Sequence, residues 1–258
     1  MNIQPIAHIH TNLSGKFGLP RQAGVVPELT GVITFEPAYR APEALRGLEG
    51  FSHVWLIWGF SETSKEEHYG FFGDAPYAAT VRPPRLGGNE RKGVFATRSP
   101  FRPNSLAMSV VKMEQILLPV SMIGEENDAK YNPGPELIRY KSSLPDGPQI
   151  IVSGVDLMDG TPIYDIKPYI RYADSYPEAV CGYVDGLSER KLHVSISPEL
   201  VAMVSDDDVL AGMVEMLSLD PRPSYHNDPN REYGLSFAGY NIRFIVCDGV
   251  LNVVDIEK

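Results

Sequence analysis

Proline and glycine recur along the whole chain and limit the length of any regular element. The 258 residues include 22 prolines and 23 glycines, and both residue types interrupt helices and mark turns. Long helices must therefore be few. The longest apolar run, residues 54–60, has the length of a strand and is far shorter than a membrane-spanning helix. We expect a chain built from strands and turns, with no transmembrane helix and no membrane partner.

The apolar pattern predicts a strand-rich body in the first two thirds of the chain. Alternating or β-branched apolar runs bounded by Gly, Pro or Asn mark strands. The predicted strands cover residues 3–10, 31–35, 54–60, 78–81, 93–97, 106–113 and 150–157. Neither G-x-G-x-x-G nor G-x-x-x-x-G-K-[ST] occurs, which argues against a Rossmann or P-loop cofactor site. We predict a β-rich α+β fold in which a single sheet curls into a barrel.

The last third of the chain predicts a small α+β domain. Ser197 is a candidate N-cap, Pro198 stands at the first helical position, and Pro221 ends the apolar repeat between them. These signals predict one long helix. Strands are predicted at 192–196, 239–246 and 250–255, and a short helix is predicted earlier, at 42–46.

The character of the sequence changes after Tyr169, where a loop of Asp, Pro and Gly follows the apolar runs, and the boundary is placed within residues 170–181. Such a change is typical of a domain boundary. We therefore predict a β-barrel domain of residues 1–172 and a small α+β domain of residues 173–258.

Charge is distributed unevenly along the chain. The formal net charge is -10, and the part from Arg171 onward holds seven basic and 15 acidic residues, a balance of -8. Residues 81–104, in contrast, hold six basic residues and one acid, a balance of +5. A short basic segment on an acidic protein suits a defined anionic ligand or one RNA element, not long duplex DNA. A solvated basic loop is the alternative interpretation.

The basic segment also has the composition of a binding site. Arginine offers a planar fork for carboxylate or phosphate, and prolines and a Gly-Gly pair set its backbone at fixed places. The basic candidates are Arg82, Arg85, Arg91, Lys92, Arg98 and Arg102, followed by Asn104. Core packing explains such a mixture poorly, because prolines remove strand hydrogen bonds and glycines cost entropy.

A second candidate segment runs from a predicted strand into the turn Asp159-Gly160-Thr161-Pro162 and on to Asp165. The turn brings two carboxylates and exposed backbone groups to one place, where a ligand can be bound. The alternative is a plain chain reversal, in which Asp159 only accepts backbone hydrogen bonds.

Cysteines and histidines indicate neither a metal site nor a disulfide framework. Cys181 and Cys247 have no C-x-x-C spacing, and we expect both to be buried structural residues. His8 and His10 share one face of a predicted strand without a third ligand, so no metal is expected. The N-terminus lacks the basic start and apolar core of a signal peptide, which indicates the cytoplasm.

Several segments in order resemble one known family. They are Pro20-Arg21-Gln22, Arg46 to His53, Arg82 to Asn89, Thr97 to Asn104, Asp156 to Pro162 with Asp165 to Tyr169, and Asp220-Pro221-Arg222-Pro223. Together they resemble the TsaA-like, or TrmO-type, tRNA methyltransferases. The resemblance implies a β-barrel methyltransferase dependent on S-adenosylmethionine, working as a homodimer. Its reaction would be N6-methylation of threonylcarbamoyladenosine at position 37 of threonine tRNA.

The resemblance also implies which residues form the site. The implied cofactor contacts are Pro20, Arg21, Gln22, Ser61, Glu62, Arg98, Leu106, Asp159, Gly160, Thr161 and Pro162. The candidate contacts to the tRNA anticodon loop are Arg82, Arg85, Arg91, Arg102, Asn104, Arg222 and Tyr225. Residues 63–77 and 119–149 are longer than is usual in the family, and the sequence assigns them no role.

The chemistry of methyl transfer asks for alignment of the reacting atoms, exclusion of water and help in removing a proton from nitrogen. Asp159 and Asp165 are the candidate bases. Two other functions stay open from the sequence. One is a non-catalytic regulator that binds S-adenosylmethionine and RNA, and the other is a methyltransferase with a different acceptor.

Overall fold

The computed structural model describes the greater part of the chain. The described residues are 2–61, 77–83, 86, 90–119, 137–140 (backbone only), 147–187, 191–222, 226 and 228–258. The predicted contacts of Glu62, Arg85 and Tyr225 lie outside these residues, as do most of the segments 63–77 and 119–149.

Strands dominate the described structure, and the helices are short. The strands are β1 (Ala7–Thr11), β2 (Thr30–Phe35), β3 (His53–Gly59), β4 (Thr80–Val81), β5 (Lys92–Gly93), β6 (Leu106–Pro119), β7 (Leu137–Tyr140), β8 (Gln149–Ser153), β9 (Thr161–Pro168), β10 (His193–Ser195), β11 (Tyr233–Phe237), β12 (Tyr240–Cys247) and β13 (Val250–Glu257). The α-helices are α1 (Arg171–Asp174), α2 (Pro198–Val201) and α3 (Asp207–Ser218). Within the described residues, no helix is long and apolar enough to cross a membrane.

Six strands close into an antiparallel barrel. Their order is β3-β9-β1-β2-β8-β6, and a pairing between β6 and β3 closes the ring. The short strand β7 pairs in parallel with the end of β6. Closure leaves no open edge among the six strands. The predicted β-barrel is confirmed.

Alternating apolar residues explain why these strands form a barrel. In β3, Val54, Leu56 and Trp58 are buried, and the residues between them are half-buried. Ile9 on β1 and Ile163 on β9 are also fully buried. Period-two alternation sends these side chains to one face of the sheet, and burial of that face stabilises the closed ring.

A buried polar chain lies among the apolar residues of the barrel. The Trp58 indole donates to the Ser109 hydroxyl at 3.0 Å, and this hydroxyl donates to Asp156 at 2.6 Å. Trp58 and Ser109 are both buried. Each donor therefore has an acceptor, as buried polar groups require.

We expect Ser109→Ala to lower the free energy of unfolding by about 1–3 kcal/mol, because it leaves the buried indole N–H without its acceptor. Urea unfolding followed by tryptophan fluorescence measures the change. Ser52→Ala removes an exposed serine hydroxyl beside His53 and should stay within about 0.5 kcal/mol of the wild type. Equal effects of the two substitutions would contradict the role given to Ser109.

The C-terminal part contains a second, four-stranded sheet in the order β10-β13-β12-β11. Helix α3 contacts strand β10, and its residues Met213, Met216 and Leu217 are buried. Phe244 on β12 is fully buried and lies 5.6 Å from the ring of Tyr233, with the planes inclined by 22°. The small C-terminal domain with this sheet agrees with the predicted fold class.

The chain divides into two compact units that are not continuous in sequence. The first holds Met1–Asn12, Pro20–Gly59 and Met108–Arg171, and the second holds Leu13–Leu19, Phe60–Ala107 and Tyr172–Lys258. Within the second unit, Gly18 has a positive φ of 85°, and a Cβ at this position would overlap the Leu235 side chain. Domain limits at residues 1–172 and 173–258 stay a prediction.

Some predicted elements differ from the structure. Ser197 caps α2 and Pro198 opens it, as expected, but the single long helix was wrong. A second helix begins after Asp206, whose carboxylate accepts from the amides of Asp208 and Val209 at 2.9 and 3.2 Å. The first helix has ended by then, at Val201, and this cap starts a separate helix. The short helix predicted at 42–46 is a 3-10 turn, Pro42–Leu45.

Candidate functional site

The turn between Leu157 and β9 presents a carboxylate at one end of the barrel. Asp159 Oδ1 accepts a hydrogen bond from the Thr11 amide at 3.1 Å and lies 3.4 Å from His10 Nδ1. The Asp159 side chain remains 53% exposed. The last residues of β1 therefore hold the carboxylate in place while it stays accessible to a ligand.

Glycine at position 160 lets the turn form. Gly160 has a φ of 74°, in the left-handed region that favours glycine, and donates its amide to the Ile9 carbonyl at 2.9 Å. The Thr161 hydroxyl donates to the Met158 carbonyl at 2.8 Å. A Cβ at Gly160 would meet no atom within 4 Å. The turn is thus fixed to the barrel on one side and open on the other.

The loop that contains Pro20, Arg21 and Gln22 reaches the same end of the barrel. Gly24, two positions after Gln22, donates to the Gly154 carbonyl at 2.8 Å, directly after β8. Strand register places the end of β1, the start of β2 and the end of β8 together, since Thr11 lies opposite Gly31 and Thr30 opposite Ser153. Arg21 is exposed at this end, and Gln22 is half-buried and donates to the Arg21 carbonyl.

Asp165 lies farther along β9. It stands four positions after Thr161, a distance of about 13 Å along a strand. Its carboxylate lies 3.1 Å from Lys167 Nζ and accepts from the Ile166 amide at 3.0 Å. The structure therefore separates the two candidate bases, with Asp159 in the turn and Asp165 on the strand beside a lysine.

The basic segment forms a two-stranded ribbon and a following loop in the second unit. Strands β4 and β5 pair, and Arg91 Nη1 lies 3.5 Å from the Thr80 hydroxyl. Arg102 turns inward and donates to the carbonyls of Thr97 and Ser99 at 3.0 and 3.4 Å. The exposed predicted contacts in this unit are Ser61, Arg82, Arg91, Arg98 and Asn104, and Leu106 is half-buried. Arg102 therefore braces the loop that carries Arg98.

Arg222 forms an internal ion pair. Its guanidinium donates to both oxygens of Asp220, at 2.8 and 2.9 Å, and 13% of its side chain is exposed. The hydrogen bonds that Arg222 donates to the Asp220 carboxylate raise the pKa of Arg222. A direct contact between Arg222 and tRNA stays a prediction.

The histidine and cysteine predictions had different outcomes. Cys181 is exposed and Cys247 half-buried, so the prediction of two buried structural cysteines was wrong. His8 Nδ1 lies 2.8 Å from Glu36. His10, which the sequence offered only as a possible metal ligand, lies beside Asp159. The feature that could have predicted this contact is the position of His10 near the end of β1, because β1 pairs with the start of β9.

The closed antiparallel barrel and the lack of a dinucleotide fingerprint in the sequence are the features expected of a non-Rossmann, β-barrel methyltransferase, the class that the motifs resemble. Comparison with known families agrees: the model of the tRNA-methyltransferase O N-terminal domain matches residues 8–175, and that of the TrmO C-terminal domain matches residues 189–258. The chain belongs to the TrmO family of tRNA methyltransferases, as the order of its motifs predicted.

Individual relatives support the same assignment. A tRNA (adenine(37)-N6)-methyltransferase of Escherichia coli is 33% identical over 261 residues, 98% of this chain and 97% of the relative. A putative S-adenosylmethionine-dependent methyltransferase, RcsF, of Pseudomonas aeruginosa is 33% identical over 91% of this chain and 87% of its own. The crystal structure of TrmO from Pseudomonas aeruginosa superposes with a TM-score of 0.69 at 26% identity, covering 100% of this chain and 99% of that one.

Proposed function

We propose that the protein transfers the methyl group of S-adenosylmethionine to N6 of threonylcarbamoyladenosine at position 37 of threonine tRNA. The observation that carries the proposal is the match along both parts of the chain to the TrmO family. The Escherichia coli relative, which spans nearly the same length, is named as a tRNA (adenine(37)-N6)-methyltransferase. The acidic turn and the basic segment supply the two kinds of group that this reaction needs.

The residues of the turn fit the charges of the cofactor. When bound, S-adenosylmethionine supplies an electrophilic methyl group on a sulfonium cation. The space beside Gly160 is open, and the exposed Asp159 carboxylate next to it has the charge that a cationic ligand requires. The guanidinium of Arg21, exposed at the same end of the barrel, suits a carboxylate.

The proposed cofactor site extends beyond these groups. Arg98 is proposed to bind the carboxylate end of the cofactor, because its exposed guanidinium offers charge-assisted hydrogen bonds. The remaining proposed contacts are Pro20, Gln22, Ser61, Glu62, Leu106, Thr161 and Pro162.

Asp159 is proposed to hold the proton that leaves the acceptor nitrogen. This nitrogen is conjugated with a purine and a carbonyl, and it is a poor nucleophile while it keeps its proton. The Thr11 amide fixes one oxygen of Asp159, and the His10 ring lies beside the same oxygen. The second oxygen of the carboxylate is then the one that accepts the proton.

The proposal includes the partners of the protein. Arg82, Arg85, Arg91, Arg102 and Asn104 are proposed to face the phosphates of the anticodon loop, with Arg222 and Tyr225 contributing from the C-terminal part. Arg102 would do so through the loop that it braces. We also propose a homodimer that works in the cytoplasm, without DNA or a metal.

We expect Arg98→Ala to weaken the binding of S-adenosylmethionine by about 10- to 150-fold, the effect of losing hydrogen bonds to a charged group. Isothermal titration calorimetry measures the change. Arg91→Ala, which removes an exposed arginine from the same segment, is the matched control and should keep the cofactor affinity. If Arg98→Ala binds S-adenosylmethionine with the affinity of the wild type, Arg98 does not contact the cofactor.

The function itself is tested by incubating the protein with methyl-labelled S-adenosylmethionine and threonine tRNA that carries or lacks threonylcarbamoyladenosine. Mass spectrometry of the digested nucleosides identifies the labelled product. Label on threonylcarbamoyladenosine alone is the expected result. Label on another nucleoside would indicate a different acceptor, and cofactor binding without label would indicate a non-catalytic regulator.

A further inference from the structure

The basic segment carries an exposed aromatic ring for which the proposed chemistry has no use. Phe95 lies on the 3-10 turn Val94–Ala96, directly after β5, and is 71% exposed. Burying a phenylalanine side chain is worth about 1.5–3 kcal/mol. Packing within the chain buries only a minor part of the Phe95 side chain, so most of this stabilisation is not realised. The ring is therefore accessible to a ligand.

A second aromatic ring extends the same surface. The Tyr77 ring lies beside Phe95, with centroids 6.0 Å apart and planes inclined by 30°. The backbone holds the two segments together, since the Val94 amide donates to the Ala79 carbonyl at 3.0 Å and β4 pairs with β5. The two rings therefore form a preformed aromatic surface at the end of the ribbon.

Positive charge borders this aromatic pair. Residues 90–102 hold four basic residues and one acid. Arg91 and Arg98 are exposed on the two sides of Phe95 in sequence. Lys92 Nζ forms an ion pair with Glu90 and lies 5.1 Å from the centroid of the Tyr183 ring, and the Tyr183 hydroxyl donates to the Ala96 carbonyl at 3.0 Å. Tyr183 thus fixes both the cation and the turn that carries Phe95.

The sign of the charge distinguishes this surface from other exposed aromatic side chains. Tyr172 and Tyr176 are 90% and 74% exposed. They lie in residues 171–181, which contain one basic and two acidic residues. The formal charge is -1 in that stretch and +3 in residues 90–102, which favours a polyanion at Phe95 over Tyr172. An aromatic face bordered by arginine and lysine is the arrangement that binds unpaired nucleotides, by stacking on the base and pairing with the phosphates.

We propose that Phe95, supported by Tyr77, is a stacking surface for an unpaired base of the RNA substrate. The proposal rests on the proposed function for the identity of the RNA, an anticodon loop. The ring binds a base next to the modified nucleotide by its π-face, and Arg91 lies along the backbone phosphates. Stacking of this kind positions the loop without reading a particular base.

The test uses a fluorescently labelled hairpin RNA with the anticodon-loop sequence of threonine tRNA, and the full-length protein. We expect Phe95→Ala to weaken hairpin binding by about 5- to 150-fold. Phe95→Leu, which keeps an apolar side chain without a π-face, should behave like alanine, and Phe95→Trp should bind like the wild type. Tyr172→Ala removes an exposed ring from the acidic stretch and is the control.

Salt dependence separates stacking from charge. Phe95→Ala should leave the slope of log Kd against log salt unchanged, whereas Arg91→Ala should reduce it by about 0.7–0.9 for a lost phosphate contact. Wild-type hairpin affinity in both Phe95→Ala and Phe95→Leu would overturn the proposal. Loss of affinity together with a changed sedimentation coefficient would also overturn it, because Phe95 would then lie between two copies of the chain.

The outcomes for this surface and for the enzymatic function are separate. If the wild type methylates tRNA while the Phe95 variants bind the hairpin normally, the stacking surface is wrong and the function stands. If the wild type binds the hairpin through Phe95 but labels no nucleoside, the surface stands and the function is wrong.

Discussion

Asp159→Asn is expected to lower the rate of methyl transfer by about 10²- to 10⁴-fold, the usual contribution of a general base. The side-chain amide keeps the shape of the carboxylate and an oxygen that accepts from the Thr11 amide at 3.1 Å in the wild type. It cannot take up a proton at neutral pH. The turn should therefore keep its geometry while the chemical step slows.

Single-turnover methylation at saturating cofactor measures this rate, and calorimetry of cofactor binding on the same variant separates chemistry from affinity. Asp165→Asn tests the competing assignment, because Asp165 lies beside Lys167 farther along β9. Glu43→Gln, on an exposed residue of a 3-10 turn, controls for the loss of one negative charge. A large loss in Asp165→Asn with normal chemistry in Asp159→Asn would move the base to Asp165.

Phe244→Ala is expected to destabilise the C-terminal sheet by about 3–5 kcal/mol. Phe244 is fully buried and packs against Tyr233 with their planes inclined by 22°. Alanine leaves a cavity between β12 and the side chains around it. Val254→Ala, at a 43% exposed position on the neighbouring strand β13, should cost about 1 kcal/mol or less.

Two spectroscopic signals locate the effect of Phe244→Ala. The chain has two tryptophans, and both Trp55 and Trp58 lie on β3 of the barrel. Tryptophan fluorescence therefore follows the barrel, whereas circular dichroism follows all strands. We expect the dichroism transition in urea to shift to lower concentration with little change in fluorescence. Unchanged dichroism would contradict the place of Phe244 in the core.

The strand-rich character could be predicted from the sequence because it follows from local signals. Short apolar runs bounded by Gly and Pro identify β2, β3 and the first part of β6, and the missing glycine fingerprints remove the Rossmann alternative. Closure by β6 and β3 is a pairing between distant segments, which no local pattern specifies.

Strand β9 was not predicted from the sequence, because it contains two prolines. Pro162 lies opposite His8 on β1 and Pro168 opposite Val54 on β3, although proline inside a strand argues against a strand. Thr161 and Ile163 are buried and alternate with less buried residues, and this period-two pattern is the strand signal that stands against the prolines. The Asp159 turn was recognised as a motif, but its contact with His10 depends on the pairing of β1 with β9.

The order in which the elements leave the ribosome follows from their pairing. Strand β9 pairs with both β1 and β3. About a hundred residues of chain lie between the end of β3 and the start of β9, so the ring cannot close until they have been synthesised. The sheet of the second unit is completed later, when β13 has been synthesised. Its last strand, β13, occupies an interior position between β10 and β12. A chain cut before Val250 therefore lacks an interior strand of this sheet, and β10 loses the strand with which it pairs.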